Sequence, residues 1–448
     1  MSAVPEFDPV LAAARPAFDE AAVLGIAAGT FGQPAAAARD LGSERDQTFL
    51  LLDHDGTSIA VMKLSNAAED PATLDMEALA VLHATRADPS LPLAIPRRVP
   101  GVDGDERDPA TRRAAIERDG EQHHARLYDV LPGHQRSDPR DLSDAALGSW
   151  GETAARLGRA LRGFAHPAAQ RTMLWDVQHA PRTRSMLPTI RDARQRALVE
   201  TVLDRFDAIV VPAWPSLRAQ VVHTDLTTDN ALVDDAGRIS GIVDFGDMCH
   251  SALIVDLASL LDSLLSGRID DELFRAARLV LDGYQRVTPL EPVELRLLGE
   301  LLAARAAVTI AISSWRSSRG LEDPAFAERY NDGVARTIST LLDAGWDAAA
   351  RRFGADVPPT ATDRAQLIAR RGAVMGPALE PLTYDEPILM ASAQGVWMTD
   401  ADGRRYLDAY NNVPSIGHAH PRVSEAIARQ ARRLNTNLPY LHAGALAR

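Results

Sequence analysis

The sequence has 448 residues, of which 46% are hydrophobic and 24% are charged. These proportions are typical of globular proteins and exclude a disordered or fibrous chain, and the length suggests two or three domains of roughly 100–200 residues each. The formal net charge is -13, so the chain lacks the basic surplus that nucleic-acid phosphates or an anionic membrane attract. We therefore expect neither nucleic acid nor a membrane as a partner.

Cysteine and lysine usage narrows the chemistry further. Cys249 is the only cysteine, which excludes an intramolecular disulfide and a cysteine-rich zinc site. The N-terminal residues carry acids where a secretory signal needs a basic start, and Asp256 and Arg305 interrupt the two longest apolar runs; neither run reaches the roughly 20 residues of a membrane-spanning helix. We expect a cytoplasmic protein. Lys63 is the only lysine, so any chemistry that needs a side-chain amine depends on it.

The first part of the chain has the pattern of short strands. Residues 35–64 alternate apolar and polar side chains around a polar loop at 42–47 and an Asp-Gly turn at 55–56, and Asp-Gly is a strong hairpin signal. The last of these predicted strands, Ser58–Leu64, contains Lys63 close to its end.

A helix and a further strand are predicted next. Apolar residues at helical spacing over 72–85 predict a helix that carries Glu77. Residues 103–122 are polar and predict a loop, and residues 124–131 predict a strand that a Pro-Gly pair stops at 132–133. A hinge between two lobes fits there.

The rest of the chain is mainly helical in pattern. Helices are predicted over 141–209 and again over 253–353, and short strands separated by polar turns are predicted between them, over 221–243. The proline-rich residues 354–363 are predicted to contain a domain boundary.

Two motifs in the second half carry residues suited to phosphoryl transfer. The segment HTDLTTDN at 223–230 has the H-x-D-L-x-x-x-N spacing of a kinase catalytic loop, in which the aspartate engages the attacking hydroxyl and the asparagine binds a metal ion. Asp225 is therefore the predicted catalytic base and Asn230 a predicted metal ligand. Asp244 follows in a V-D-F-G segment and is predicted to bridge Mg²⁺ to the nucleotide phosphates.

The first half supplies the cation that such chemistry needs. Lys63 ends an A-V-M-K segment on a predicted strand, which is the place of the phosphate-contacting lysine in kinases. Glu77 follows on a predicted helix, and we expect it to pair with Lys63 and to hold the ammonium group in place.

Each element also has a purely structural explanation. An isolated D-F-G triplet is a common strand end, and Lys63 and Glu77 taken singly fit a solvated strand end and a helix surface. Their order together favours a kinase. A non-catalytic, kinase-like scaffold is the alternative; Thr224 and the absence of a glycine-rich loop support it, whereas the position of the sole lysine opposes it.

These motifs resemble the aminoglycoside phosphotransferase and choline kinase superfamily over residues 20–350. The segments LGSERDQTF at 41–49 and IVDFGDMCHSALIVDLA at 242–258 are most similar to the hydroxylysine kinase group. The resemblance implies an α+β, protein-kinase-like fold in one domain, 1–353, with a β-rich N-lobe to about residue 131 and a helical C-lobe from about residue 132.

The resemblance also implies the reaction. We expect transfer of the γ-phosphate of ATP or GTP, with Mg²⁺, to the hydroxyl of a small amino alcohol similar to hydroxylysine or ethanolamine; aminoglycosides, homoserine and choline are the alternative acceptors. The hinge at 126–131 does not distinguish the purines. Family members often have Gly or Asn where this chain has Thr224. Because the chain has no glycine-rich loop, residues 42–47 would cover the phosphates. Asp247 and Asp256 occupy acidic positions typical of the family. We assign both to structure, and of the two we expect Asp247 rather than Asp256 to contact substrate.

After a linker at 354–369, residues 370–448 resemble the start of class III pyridoxal-phosphate aminotransferases. Residues 395–406 predict a hairpin with its turn at Asp402-Gly403. These enzymes bind their cofactor through a lysine Schiff base, and no lysine follows residue 63, so pyridoxal-phosphate catalysis by this chain alone is not expected.

This segment has two readings. It is either the front of a longer fused or split enzyme, or an arm that forms a homodimer or binds a partner and exposes Val396, Trp397 and Tyr410. Because pyridoxal-phosphate enzymes can eliminate phosphate from a phosphorylated amino alcohol, we expect the kinase to be coupled to such a lyase or aminotransferase.

Overall fold

A computed structural model of the chain describes residues 10, 13, 15–43, 45–135, 138–357, 364–374, 387–400, 404–409 and 415–431. The chain divides into two compact units, Met1–Pro358 and Pro359–Arg448. Within the described residues, no helix combines the length and the apolar character that crossing a membrane requires.

The first unit begins with a helix and an antiparallel sheet. The elements are α1 (Glu20–Phe31), β1 (Ala37–Asp40), β2 (Gln47–Leu52), β3 (Ser58–Leu64), β4 (Ala114–Arg118) and β5 (Glu121–Tyr128). The strand order is β1-β2-β3-β5-β4. Alternate residues of β2 and β3, including Phe49, Leu51 and Met62, face a small apolar core under α1, as period-two burial in a half-buried sheet requires.

The hairpin of β4 and β5 differs from the sequence prediction. The predicted loop 103–122 contains β4, and β5 begins earlier and ends earlier than the predicted strand 124–131. Asp119 and Gly120 both have positive φ, 54° and 83°, which is the backbone of a two-residue hairpin turn. The polar residues that favour such a turn had suggested a loop without strands.

Helix α2 (Pro71–Ala87) follows the third strand, as predicted. Asp70 caps its N-terminus by accepting a hydrogen bond from Ala72 N, and proline is the first helical residue, which is the position where proline is favoured. One face of the helix is buried and includes Met76, Glu77 and Val81.

The remainder of the first unit is mainly helical. Its helices are α3 (Asp144–Ala160), α4 (Ala193–Arg205), α5 (Ile254–Leu265), α6 (Asp270–Gln285), α7 (Pro292–Ser318), α8 (Pro324–Ala344) and α9 (Trp346–Phe353). Helix α7 is buried on nearly all sides between 297 and 313. Helices α3 and α6 pack closely at Gly151. An added Cβ on this residue would lie 1.9 Å from Val280 O, so only glycine fits there.

Four short strands lie between these helices and form two pairs. They are β6 (Ala219–Val222), β7 (Ala231–Val233), β8 (Ile239–Ile242) and β9 (Cys249–Ala252). Strand β6 pairs with β9, and β7 with β8. The first three confirm the strands predicted over 221–243, whereas β9 was not predicted. A β-rich first part followed by a helical remainder confirms the predicted α+β class.

The second unit contains two helices and a three-stranded sheet within its described residues. They are α10 (Arg364–Val374), β10 (Met390–Gln394), β11 (Trp397–Asp400), β12 (Arg405–Leu407) and α11 (Pro421–Ala431). Strands β11 and β12 pair where the hairpin was predicted; its Asp402-Gly403 turn lies outside the described residues. Val396 and Trp397 are exposed as predicted, and Tyr410 also lies outside the described residues.

Candidate active site

Lys63 lies at the end of β3 between two carboxylates. Its Nζ donates a hydrogen bond to Asp244 Oδ1 at 2.7 Å and lies 3.1 Å from Asp46 Oδ2. Burial by itself would lower the pKa of the Lys63 ammonium, but Asp244 and Asp46 outweigh burial and raise that pKa above its ordinary value. The sole side-chain amine of the protein is therefore held as a cation beside the predicted metal ligand.

The predicted ion pair between Lys63 and Glu77 is wrong. Glu77 Oε2 instead accepts a hydrogen bond from Arg126 Nη1, and both side chains are buried. The cause is strand register, because Arg126 lies directly opposite Lys63 where β5 pairs with β3. This register places a guanidinium against the helix, and a buried guanidinium is well suited to a carboxylate, while Lys63 reaches Asp46 and Asp244.

Asp244 follows β8 in a left-handed backbone conformation, with φ of 57°. Its Oδ1 accepts hydrogen bonds from Lys63 Nζ and from Gly246 N, the latter at 3.2 Å. Partial burial opposes the charge on Asp244, but the Lys63 ammonium outweighs it and holds the pKa of this carboxyl well below its usual range. The Asp244 residue is exposed to solvent.

Asp225 lies in the loop after β6 between an amide and a guanidinium. Asn230 Nδ2 donates to Asp225 Oδ2 at 2.7 Å, and Arg305 Nη2 from α7 donates to Asp225 Oδ1 at 2.6 Å. Burial raises the pKa of Asp225 above its ordinary value, although Arg305 opposes the rise. The side chain keeps 25% of its surface exposed, so this carboxylate is open on one side.

A buried aspartate fixes the backbone of this loop. Asp256 at the start of α5 accepts hydrogen bonds from His223 N at 3.1 Å and from Thr224 N at 2.7 Å. Thr224 O accepts a hydrogen bond from Ser259 Oγ at 2.7 Å. Thr224 has φ of 71°, a left-handed conformation that glycine and asparagine adopt more readily. The backbone conformation therefore explains why Gly or Asn suits this position, and the structure places Asp256 in a supporting role.

Asn230 and Asp244 fit the requirements of Mg²⁺. The amide nitrogen of Asn230 donates hydrogen bonds to Asp225, which leaves the side-chain carbonyl oxygen as an acceptor. Val243 N donates to Asn230 O at 3.0 Å, so the two predicted ligands lie on adjacent backbone segments. Magnesium prefers such oxygen ligands and usually takes one or two from protein, the rest from water and phosphates. The described residues contain no cluster of three or more His, Cys, Asp or Glu side chains suited to a metal.

The loop between β1 and β2 brings a second cation to this site. Arg45 donates to Asp247 Oδ1 across the cleft. An ideal Cβ at Gly246 would lie 3.6 Å from Arg45 Nη2 and 3.8 Å from Lys63 Nζ, so the two cations converge beside the segment that carries Asp244. The predicted loop 42–47 thus reaches the region where the phosphates are expected.

Arg171 forms a further link across the cleft. Its Nε donates to Met248 O at 3.0 Å and its Nη2 donates to Gly246 O, while Nη1 lies 3.6 Å from Glu69 Oε1. Burial raises the pKa of Glu69 to about 7, although Arg171 opposes the rise. Arg171 therefore supports the backbone after Asp244.

The structure brings together four of the five predicted site residues. Lys63 contacts Asp244 directly, and Asp225 contacts Asn230. Sequence reasoning missed Arg45, Asp46, Arg171 and Arg305. Arg45 and Asp46 lie in the loop that was predicted to cover the phosphates. Arg305 interrupts a long apolar stretch of α7, and a charge in such a helix is buried and partnered.

Comparison with known proteins identifies the family. A model of the phosphotransferase enzyme family matches residues 37–290, more than half of the chain, and a model of class-III aminotransferases matches residues 382–445. Hydroxylysine kinase of Mus musculus is 24% identical over 326 residues, which cover 68% of this chain and 84% of that protein. Homoserine kinase of Parvibaculum lavamentivorans is 35% identical over 166 residues, 34% of this chain and 50% of that protein.

A solved structure shows the same fold. The microcompartment-associated aminopropanol kinase superposes with a TM-score of 0.55 at 17% identity, covering 70% of this chain and 94% of that chain. This similarity confirms the predicted two-lobed, kinase-like fold. The chain therefore belongs to the phosphotransferase enzyme family and is a small-molecule kinase, with a fragment near its C-terminal end that matches class-III aminotransferases.

Proposed function

We propose that the chain transfers the γ-phosphoryl group of ATP or GTP to the hydroxyl of a small amino alcohol, similar to hydroxylysine or ethanolamine. The observation that carries this proposal is the pairing of Lys63 with Asp244 and of Asp225 with Asn230, with Asp244 near enough to Asp225 to influence its pKa. Phosphoryl transfer depends mainly on positioning and on electrostatic stabilisation, and these side chains supply the required charges. We assign residues 1–353 to this activity.

Each side chain has a distinct role in the proposed reaction. Lys63 binds the phosphates of the nucleotide, and Asp225 accepts the proton of the acceptor hydroxyl. The hydroxyl oxygen bonds to the γ-phosphorus while the bond from that phosphorus to the bridging oxygen breaks, and the nucleoside diphosphate leaves. Asn230 and Asp244 would hold Mg²⁺, which neutralises charge on the phosphates when bound. Glu77 has no direct role, because it is paired with Arg126.

The charges around Asp225 support an acceptor that carries an amine. Burial raises the pKa of Tyr330, and Asp262, Asp229 and Asp225 raise it further while Arg305 opposes them, so three carboxylates and one guanidinium act on this tyrosine. An ammonium group is stabilised by such a surplus of carboxylates. Hydroxylysine kinase, homoserine kinase and aminopropanol kinase are each named for an acceptor with a hydroxyl and an amine. Aminoglycosides and choline remain the alternatives.

We further propose that the product is consumed by a pyridoxal-phosphate enzyme. The match of residues 382–445 to class-III aminotransferases supports this coupling, since such enzymes can remove phosphate from a phosphorylated amino alcohol. The matching segment itself contains no lysine and so does not fit Schiff-base binding of the cofactor. The coupling therefore requires another polypeptide or a longer chain.

A phosphate-transfer screen tests the proposed reaction. The purified chain is incubated with Mg²⁺, ATP or GTP, and acceptors that include hydroxylysine, homoserine, ethanolamine, choline and aminoglycosides, and nucleoside diphosphate release is measured. We expect turnover with amino alcohols. Turnover confined to aminoglycosides, or to hydroxyl compounds without an amine, would contradict the proposed acceptor. Absence of Mg²⁺-dependent nucleotide binding would instead favour the non-catalytic scaffold.

A further inference from the structure

A donor and an acceptor without partners are buried near the catalytic loop. Within the described part of the chain, Arg305 Nε and Asp262 Oδ1 are shielded from solvent and make no hydrogen bond. The two residues are only 4% and 5% exposed. Buried polar atoms are nearly always paired in native proteins, and an exception is explained by strain, by a catalytic role, or by a bound water, ion or ligand. Here Arg305 Nε is a hydrogen-bond donor and Asp262 Oδ1 is a hydrogen-bond acceptor.

These two side chains are close neighbours. Thr309 lies one turn after Arg305 on α7, and its Oγ1 donates to Arg305 O at 3.0 Å and lies 3.5 Å from Asp262 Oδ2. One helical turn spans about 5.4 Å, so Asp262 on α5 lies roughly one turn from Arg305 along α7. Arg305 Nη2 is also 2.6 Å from Asp225 Oδ1. Arg305 is thus in direct contact with the predicted catalytic base; burial raises the pKa of Asp262 most, and the charge of that base also raises it.

The hydrogen-bonding capacity of Arg305 exceeds what the protein uses. Nη2 binds Asp225 and Nη1 binds Trp175 O at 2.9 Å, which leaves Nε and further N–H groups of the five that a guanidinium offers. A guanidinium binds a carboxylate ligand through two parallel hydrogen bonds. Asp262 Oδ1 is a hydrogen-bond acceptor, and an ammonium group is a suitable donor for it. A ligand that carries both groups satisfies both residues.

We propose that Arg305 binds the α-carboxylate of the acceptor and that Asp262 binds its α-ammonium group, so that the acceptor is a hydroxy α-amino acid. This inference rests on the proposed phosphoryl transfer, because the acceptor hydroxyl must reach Asp225. It separates hydroxylysine- and homoserine-like acceptors from ethanolamine-like ones, which lack a carboxylate. A different explanation is that Arg305 only positions Asp225, in which case its loss would affect every acceptor equally.

Matched acceptors distinguish the two explanations. L-Homoserine is compared with 3-aminopropan-1-ol, which lacks the carboxylate, and with 4-hydroxybutyrate, which lacks the amine. 5-Hydroxylysine is compared in the same way with 1,5-diaminopentan-2-ol and with 6-amino-5-hydroxyhexanoate. In the unmodified chain we expect kcat/KM for the better amino acid to exceed both of its analogues by about 10- to 100-fold. Equal values for an amino acid and its decarboxylated analogue would overturn the inference.

Two variants test the residues separately. Arg305→Gln should remove the preference for the amino acid over its decarboxylated analogue, beyond any fall in kcat that all acceptors share because Asp225 loses a hydrogen bond, and Asp262→Asn should remove the preference over the deaminated analogue. An equal fall for all three acceptors would show a positioning role and overturn the inference. Nucleotide affinity and circular dichroism confirm that each variant is folded. If a variant does not fold, the ratios in the unmodified chain decide.

Binding measurements separate this inference from the proposed reaction. If the unmodified chain turns over no acceptor, the proposed phosphoryl transfer fails, but calorimetry with Mg²⁺ and a non-hydrolysable ATP analogue still tests recognition. Binding of hydroxylysine or homoserine that exceeds binding of the decarboxylated analogue, and that Arg305→Gln abolishes, would support the inference. Absence of such a preference would overturn it.

Discussion

Asp225 combines two conditions that a catalytic base requires. Arg305 and Asn230 fix its carboxyl group by hydrogen bonds of 2.6 and 2.7 Å, while the side chain remains open on one side for an acceptor hydroxyl. A base fixed in this way does not need to reorient when the acceptor binds, and such positioning accounts for a large share of enzymatic rate enhancement.

We expect Asp225→Asn to lower kcat by about 10²- to 10⁴-fold, because an amide cannot accept the hydroxyl proton. Nucleotide affinity should change little, since Lys63 and Asp244 are unaltered. Steady-state kinetics and calorimetric titration with Mg²⁺ and nucleotide measure both quantities. Near-normal turnover in the variant would show that Asp225 is not the base.

The Glu77–Arg126 pair is expected to matter for stability rather than for chemistry. Both side chains are buried, and Glu77→Gln would leave the Arg126 charge without its partner. Removing one member of a buried pair lowers the free energy of unfolding by about 3–5 kcal/mol. Urea unfolding measures this loss.

The exposed pair of Glu152 and Arg286 provides a matched control. Glu152→Gln should change the free energy of unfolding by less than about 1 kcal/mol, because exposed ion pairs contribute little. Equal effects of the two substitutions would mean that Glu77 and Arg126 do not form a buried pair in solution.

The sequence predicted the residues of the site better than their partners. Asp225, Asn230 and Asp244 belong to short motifs, in which local backbone geometry fixes how the side chains are placed. The partner of Glu77 depends instead on the pairing of β3 with β5, and strand register between distant segments is not encoded in a local pattern. Arg305 was visible only as a charge within an apolar helix.

At the level of elements, helix α5 acts as the support of the catalytic loop. Asp256 accepts hydrogen bonds from the backbone N–H groups of His223 and Thr224, and Ser259 donates to Thr224 O. These contacts hold Thr224 in its left-handed conformation, which a β-branched residue adopts at an energetic cost. The helix therefore stabilises a backbone geometry that the loop sequence alone disfavours.

We expect Asp256→Asn to lower both stability and turnover, because its amide nitrogen cannot accept a hydrogen bond from a backbone N–H. One buried donor would lose its acceptor, which lowers the free energy of unfolding by about 1–3 kcal/mol. Asp282→Asn, in an exposed i,i+4 pair on α6, is the control and should stay within about 0.5 kcal/mol. Unfolding that is unchanged in Asp256→Asn would contradict the supporting role.

The elements that the sequence did not predict share a physical cause. Strand β9 (CHSA) is short and pairs with β6, far along the chain, so it shows no alternation long enough to read. Strand β4 was hidden in a polar stretch because its pattern reflects an exposed face. The helices were predicted well because their long apolar periodicity records burial directly.

At the scale of the whole molecule, ion pairs are prominent among the contacts between the two parts of the first unit. Lys63 with Asp244, Arg45 with Asp247, and Arg171 with Glu69 link the β-rich and helical parts of the first unit. The three cations of these pairs lie around the position expected for the nucleotide phosphates. An anionic nucleotide can therefore bind by bringing phosphate oxygens to these cations, and Mg²⁺ would compensate the Asp244 carboxylate that Lys63 releases.

We expect residues 1–358 to fold and to catalyse the reaction without the rest of the chain. Met1–Pro358 is a compact unit with its own apolar cores, and such units generally fold independently. Its kcat/KM should agree with that of the full chain within about twofold, measured beside thermal unfolding of both proteins. Loss of folding or turnover on truncation would show that the second unit contributes to the kinase.

The presence of a single lysine has a practical consequence for chemical labelling. Acylating reagents attack the neutral amine, and Lys63 is held as a buried cation between two carboxylates. At neutral pH such reagents should therefore modify the N-terminal amine and leave Lys63 intact. An adenine nucleotide that carries a reactive acyl phosphate would hold its acyl group next to Lys63 at a high effective concentration, which allows acylation through the small neutral fraction of the amine. One added mass, measured on the intact chain, would then report occupation of the donor site without any engineered label.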